Sequence, residues 1–119
     1  MNMIRTAIEK FNKTMGVTGA LVCTYDGILI EGQISERFDR DMLSALASSV
    51  GLALKNACKE MAFSSYSQYH ITASRGDMVI SDLGSSLFVV ILEKGTDIGS
   101  VNAEMFQTAN QIKKIVSMD

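Results

Sequence analysis

The chain has 119 residues, of which 47% are hydrophobic and 20% charged, with a formal net charge of -2. That length suits one domain with a core that needs neither metal nor disulfide, and the composition excludes a disordered chain. The slight negative charge offers nothing to a polyanion, so no nucleic acid is expected as a partner.

Residues 3–15 place Ile4, Ile8, Phe11 and Met15 on one helical face, and Gly16 ends the run. No basic head and apolar core of a signal peptide precedes them. The longest wholly apolar run, Leu87 to Leu92, is too short to cross a bilayer. A soluble, cytoplasmic protein without membrane insertion is therefore expected. Residues 17–25 read as a strand, Asp26-Gly27 as a type I′ turn with both residues at positive φ, and residues 28–31 as the returning strand.

Residues 39–62 read as one long helix with Asp39 as its N-cap. Leu43, Leu46, Val50, Leu54, Ala57 and Met61 form one apolar stripe, expected to face the sheet. Met42, Ala45, Ser49, Leu52 and Ala53 form a second stripe beside it, built largely of small residues. Residues 66–74 make a weakly apolar strand, Arg75-Gly76 a tight turn, and residues 77–83 the next strand. The tripeptide Arg75-Gly76-Asp77 is spelled like an integrin ligand but fits a hairpin. After a Gly84-Ser85 turn, residues 86–93 are the most continuously apolar strand, which belongs at the centre of a sheet. Gly95 breaks the chain, Thr96 is a candidate cap, and Ile98, Val101, Met105, Ala109, Ile112 and Val116 step along a final helix. The order αββαβββα implies an α/β (α+β) fold, with one mostly antiparallel five-stranded sheet and helices on its faces, in a single domain over residues 1–119.

Two surfaces look unfinished. The strand 66–74 suits a sheet edge, yet no proline or lysine guards it. The long helix has more apolar surface than one sheet needs, and Ala45, Ser48, Ser49 and Ala53 would admit a second helix closely. Together they point to a symmetric homodimer. Its seam is expected at Met42, Ala45, Ser49, Leu52, Ala53 and Asn56 of the helix and Gln68, His70 and Thr72 of the strand.

No P-loop or dinucleotide fingerprint occurs, and no catalytic, metal or cofactor set is expected. Cys23 and Cys58 read as buried free thiols, and most of the eight methionines fall at helical core spacing. His70 reads as a solvent or interface residue, although a dimer that juxtaposed two copies would make a pH-sensitive or metal-binding seam. Glu36, Asp39 and Asp41 suit the helix N-terminus as caps and dipole partners.

Four stretches carry a family resemblance. They are Gly16-Val17-Thr18-Gly19-Ala20-Leu21-Val22 with Asp26-Gly27, then Leu46-Ala47-Ser48-Ser49-Val50-Gly51, then Arg75-Gly76-Asp77 leading into Met78-Val79-Ile80, and Leu87-Phe88-Val89-Val90-Ile91-Leu92 followed by Gly99. The chain resembles the Roadblock family, dynein light-chain Roadblock type, including its prokaryotic gliding-motility GTPase regulators. The resemblance implies the long second helix on one sheet face and the terminal helices on the other. It also implies a dimer, of itself or with a paralogue, in which third strands pair and long helices pack antiparallel. It further implies a non-catalytic role, binding and regulating a Ras-like small GTPase through a surface that includes the paired helices. Arg37, Arg40, Asp41, Ser48 and Lys55 are the residues expected to meet that partner. A structural adaptor without effect on nucleotide state, and a small-molecule sensor or enzyme on the same fold, are the competing readings.

Overall fold

The computed structural model describes residues 2–117. Helix α1 (Met3–Phe11) begins at Asn2, whose side chain accepts from the Arg5 amide at 3.0 Å. It stops a turn earlier than its periodicity suggests. Met15 is 91% exposed, and Gly16 reverses the chain at φ +90. The strands are β1 (Val17–Thr24), β2 (Leu29–Gln33), β3 (Gln68–Ala73), β4 (Gly76–Asp82) and β5 (Ser86–Leu92). They form one antiparallel sheet in the order β2-β1-β5-β4-β3, with β5 at its centre and β3 at an edge, as the apolar patterns predict. The element order is αββαβββα, an α+β fold.

Local details depart from the expected turns. Between β1 and β2 only Gly27 takes a positive φ, and the loop spans Tyr25, Asp26 and Gly27. Gly27 donates to the Thr24 carbonyl at 3.0 Å and Thr24 to that of Ile28 at 2.9 Å. This is a three-residue hairpin loop with one left-handed residue, not a two-residue type I′ turn. The β3–β4 turn is Ser74-Arg75, because Ala73 already pairs with Gly76. Helix α3 (Ile98–Ser117) is capped by Asp97, which accepts from the Gly99 amide at 3.0 Å; the Thr96 hydroxyl is spent on the Glu93 carbonyl.

Helices α1 and α3 cover one face of the sheet. Ile8, Phe11, Val22, Val79, Phe88, Val90, Met105 and Ile112 form that core, with Phe11 edge-on to Phe88 at 5.4 Å. Helix α2 (Arg40–Glu60) lies on the other face over Leu21, Cys23, Ile80, Leu87 and Val89. Asp39 caps α2 as expected, accepting from Asp41 and Met42. The phase of α2 is the main correction. Its buried residues are Ser44, Ala47, Ser48 and Gly51, while Leu46, Ala57 and Met61 of the expected inner stripe are exposed. The small residues serve close approach of helix to sheet. A Cβ at Gly51 would stand 3.0 Å from Leu87 Cδ1 and 3.1 Å from the Tyr66 hydroxyl. The methionines are corrected likewise. Among those in the described residues Met105 is fully buried and Met78 half-buried, while Met3, Met15, Met42 and Met61 are exposed. Both cysteines are free thiols, Cys23 buried and Cys58 half-buried.

Helix α2 ends in a paired-hydrogen-bond cap. The Phe63 amide reaches the Cys58 carbonyl at 2.8 Å and the Ala62 amide that of Lys59 at 3.1 Å. This motif needs a left-handed residue after the cap, a role glycine usually fills. Here Ala62 holds φ 57. Ala62→Gly is therefore expected to stabilise the protein by about 1 kcal/mol, since a Cβ in this conformation costs roughly that much. Chemical denaturation would show a higher midpoint at unchanged slope.

Candidate interaction surface

The two flanks of α2 face different parts of the sheet. A Cβ on Gly27 would stand 3.4 Å from Ala45, and Ser48 donates to the Thr24 carbonyl at 2.7 Å. That flank, which also carries Leu52, therefore overlies the β1–β2 turn. Helical geometry, at about 100° per residue, turns Leu43, Leu46, Val50, Leu54 and Ala57 the other way, along the sheet toward β3. Leu46 is 59% exposed there. Beyond it the sheet has no helix of its own above β3. Ile71 and Met78 are only half-buried, and with Ile91, Phe38 and Arg37 they line an open groove. An apolar helix flank, an apolar groove and a free strand edge thus adjoin one another.

The two edges of the sheet are treated differently. On β2, Arg40 donates to the Gly32 carbonyl at 3.0 Å and Asn12 to the Gln33 carbonyl at 3.0 Å. Glu31 and Gln33 pair with β1, so the Gly32 carbonyl between them lies on the open edge, and the Arg40 side chain occupies an acceptor that a foreign strand would use. On β3 the side-chain bonds run instead between Gln68 and its neighbours. His70 Nε2 lies 3.0 Å from Gln68 Oε1, and Gln68 Nε2 contacts Met105 Sδ at 3.4 Å and Asn102 Oδ1 at 3.5 Å.

The residues expected at a dimer seam divide between these places. Met42, Ser49, Ala53 and Asn56 are exposed on the outward side of α2, and Met42 is 61% exposed. Ala45 and Leu52, the latter 47% exposed, lie on the flank over the β1–β2 turn. Gln68, His70 and Thr72 sit on the edge strand, but their side chains point to the α3 face, opposite α2. Strand pleating separates the two sets, and they share only the edge itself.

Of the residues expected to meet a partner, Ser48 is a correction. It is 3% exposed and bonded to β1, because the small face of α2 is its inner face. Lys55 is half-buried and committed internally, donating to the Gly84 carbonyl at 3.0 Å with its ammonium 4.2 Å above the Tyr25 ring. Arg37 and Asp41 are exposed, Arg37 over the Phe38 ring at 4.9 Å. Arg40 is exposed but anchored to β2.

Sequence reasoning missed the polar clamp below Lys55. Tyr25 donates to Asp82 Oδ1 at 2.5 Å and lies 3.1 Å from the Tyr66 hydroxyl, while Asp82 also accepts from the Gly84 amide at 3.0 Å. Burial, then the bond to Asp82, push the Tyr25 phenol well above its ordinary range, and burial raises Tyr66 as well. Burial raises the Cys23 thiol, against weaker opposing bonds from Ser48 and Ser44. These groups stay protonated: the tyrosines tie the β1–β2 loop to β4 and to the segment before β3, and Cys23 meets Ser44 and Ser48 of α2; none is a poised nucleophile. Among the described residues no group of three or more His, Cys, Asp or Glu could hold a metal, and no helix is long and apolar enough to cross a membrane.

Comparison with known proteins agrees with this architecture. MJ0714, an uncharacterised protein of Methanocaldococcus jannaschii, is 28% identical over 112 residues, covering 94% of this chain and 95% of that protein. MglB of Myxococcus xanthus shares the fold with a TM-score of 0.93 at 16% identity, over 100% of this chain and 98% of that one. A Roadblock/LC7 domain from Streptomyces avermitilis does so at 0.86 and 15% identity, over 95% and 97%. The Roadblock/LC7 domain model matches residues 3–93, most of the chain, and the chain therefore belongs to the Roadblock/LC7 domain family.

Proposed function

We propose that this chain is a non-catalytic homodimeric platform that binds a Ras-like small GTPase and regulates its nucleotide cycle. The observation that carries the reading is the apolar flank of α2, whose Leu43 and Val50 pack on the same cluster as Ile71 and Met78, beside the open groove over those two residues and the β3 edge. A second copy related by a two-fold axis at β3 would extend the sheet and lay its own α2 over that groove. The same patch would then be used on both copies. The outward sides of both helices, with Met42, Ser49, Ala53 and Asn56, and the Leu52 flank over the β1–β2 turn would remain open as one surface. Regulation would follow from holding the GTPase switch loops in one conformation, which needs no reacting group on this chain. Membership of the Roadblock/LC7 domain family and the likeness to MglB support this choice of partner class.

The test is size-exclusion chromatography of the chain with each Ras-like GTPase encoded in the same genome, loaded with GDP or a non-hydrolysable GTP analogue. Single-turnover hydrolysis is then followed with and without the chain. Co-elution with one nucleotide state and an altered hydrolysis rate are expected. Co-elution without a change in rate would leave the structural adaptor as the correct reading. Failure to co-elute with any of them in either state would remove the GTPase from the proposal.

A further inference from the structure

We infer that two copies pair through β3 in one register, with His70 directly opposite the second copy's His70, and that protonating this pair weakens the dimer. The inference rests on the dimer reading above and adds a register and a proton-binding site to it.

The register follows from one hydrogen bond. The Asp82 amide donates to the Ser67 carbonyl at 3.0 Å, so Ser67 directs its backbone groups toward β4. Backbone direction alternates along an antiparallel strand. Tyr69, Ile71 and Ala73 therefore also bond to β4, and the pairing of Ala73 with Gly76 around the Ser74-Arg75 turn agrees. Gln68, His70 and Thr72 are left with their amides and carbonyls on the open edge.

A two-fold axis normal to the sheet keeps both copies of α2 on one face. Directly opposed residues must then share a face, so the axis passes through Tyr69, His70 or Ile71. Centred on His70, Gln68 pairs with the second copy's Thr72 and His70 with its counterpart, and all the outward groups of these three residues are used. Centred on Tyr69 or Ile71, one of the outer residues falls opposite a position outside the strand. The His70 register is therefore the one with most hydrogen bonds. It brings the two Cα atoms to about 5.5 Å and sets both imidazoles side by side on the α3 face.

Little there neutralises a second positive charge. His70 contacts Gln68 on its own strand and stands opposite Val79 on β4. Helix α3 reaches this part of β3 with Asn102 and Met105, both neutral. The charged group on that face of β4 is Asp77, opposite Thr72 and already 3.7 Å from Lys94. Imidazole is the side chain whose charge ordinarily changes between pH 5 and 8, and like charges directly opposite in a sheet repel.

Two measurements test the inference. Oxidation of His70→Cys, in a Cys58→Ser background, is expected to give an intermolecular disulfide, since the Cα separation suits one. Tyr69→Cys and Ile71→Cys are expected not to. Sedimentation equilibrium of the unmodified chain is expected to show dimer dissociation about three- to tenfold easier at pH 5.5 than at pH 7.5, and His70→Gln to remove that difference. A monomer at both pH values would overturn the dimer reading itself. A dimer that cross-links through position 69 or 71 would overturn the register and leave the dimer standing. A cross-link at 70 with an equal acid response in His70→Gln would overturn the proton-binding role alone.

Discussion

Leu46→Glu is expected to convert the dimer to a folded monomer, whereas Leu52→Glu leaves the dimer intact. Leu46 is 59% exposed on the flank of α2 that faces β3, and a second helix lying over the groove would bury it. Burying one leucine contributes about 1.5–3 kcal/mol. The 59% of Leu46 left exposed in the monomer carries that share of it, and two-fold symmetry counts it twice, so about 2–3.5 kcal/mol of association is lost, or roughly one to two and a half orders of magnitude in the dissociation constant. The introduced carboxylates would add to the loss, because burying an unpaired charge is costly. The monomer should hardly notice, since an exposed substitution usually changes stability by no more than about 0.5 kcal/mol. Leu52 points toward the β1–β2 turn, away from the axis, and its loss should appear in GTPase capture. Sedimentation velocity and thermal unfolding of both variants check this. If Leu52→Glu is the variant that dissociates, the helices meet through the opposite flank, and pairing through β3 falls with it.

The legible parts of the sequence were those in which one physical demand acts alone. Residues 86–93 are apolar at nearly every position because β5 is covered on both faces, and only a central strand is. Asp39 is isolated before a long helical run, so its capping role was plain. The edge position of β3 followed from its polar alternation. The phase of α2 was not legible, because hydrophobicity and close approach make opposite demands on one face. A search for large apolar residues turns Leu46 inward, but contact with the sheet selects Ser44, Ala47, Ser48 and Gly51 instead. The signal is present in the spacing of those small residues at three and four; of them only Ser48 belongs to the set expected to admit a second helix, with Ala45, Ser49 and Ala53. Thr96 and Asp97 are adjacent and both able to cap α3. The choice fell to Asp97 because the Thr96 hydroxyl satisfies the Glu93 carbonyl, a demand visible only once the turn is formed. The division of the candidate site between two sheet faces depends on strand parity, and parity depends on register. No count along the chain supplies that.

The close approach of α2 makes Gly51 the position on which the platform depends most. Gly51→Ala would gain about 1 kcal/mol of helix propensity. It would also press a methyl group to 3.0 Å from Leu87 Cδ1 and 3.1 Å from the Tyr66 hydroxyl, so the two effects nearly cancel. Gly51→Leu keeps the propensity gain but adds a branched side chain with no space to enter. Leu87 is fully buried and cannot swing aside, and the Tyr66 hydroxyl is held against Tyr25, which is itself bound to Asp82. Overpacking of this kind costs about 1–3 kcal/mol beyond any gain. The expected result is a lower denaturation midpoint together with weaker self-association, because α2 must tilt off Leu87 and carry Leu46 out of line. A monomer-only effect is distinguishable. If Gly51→Leu lowers stability by that amount but leaves the dimer dissociation constant unchanged, the helix has relaxed without moving its exposed flank. The link between the helix's small inner face and its docking flank would then be broken.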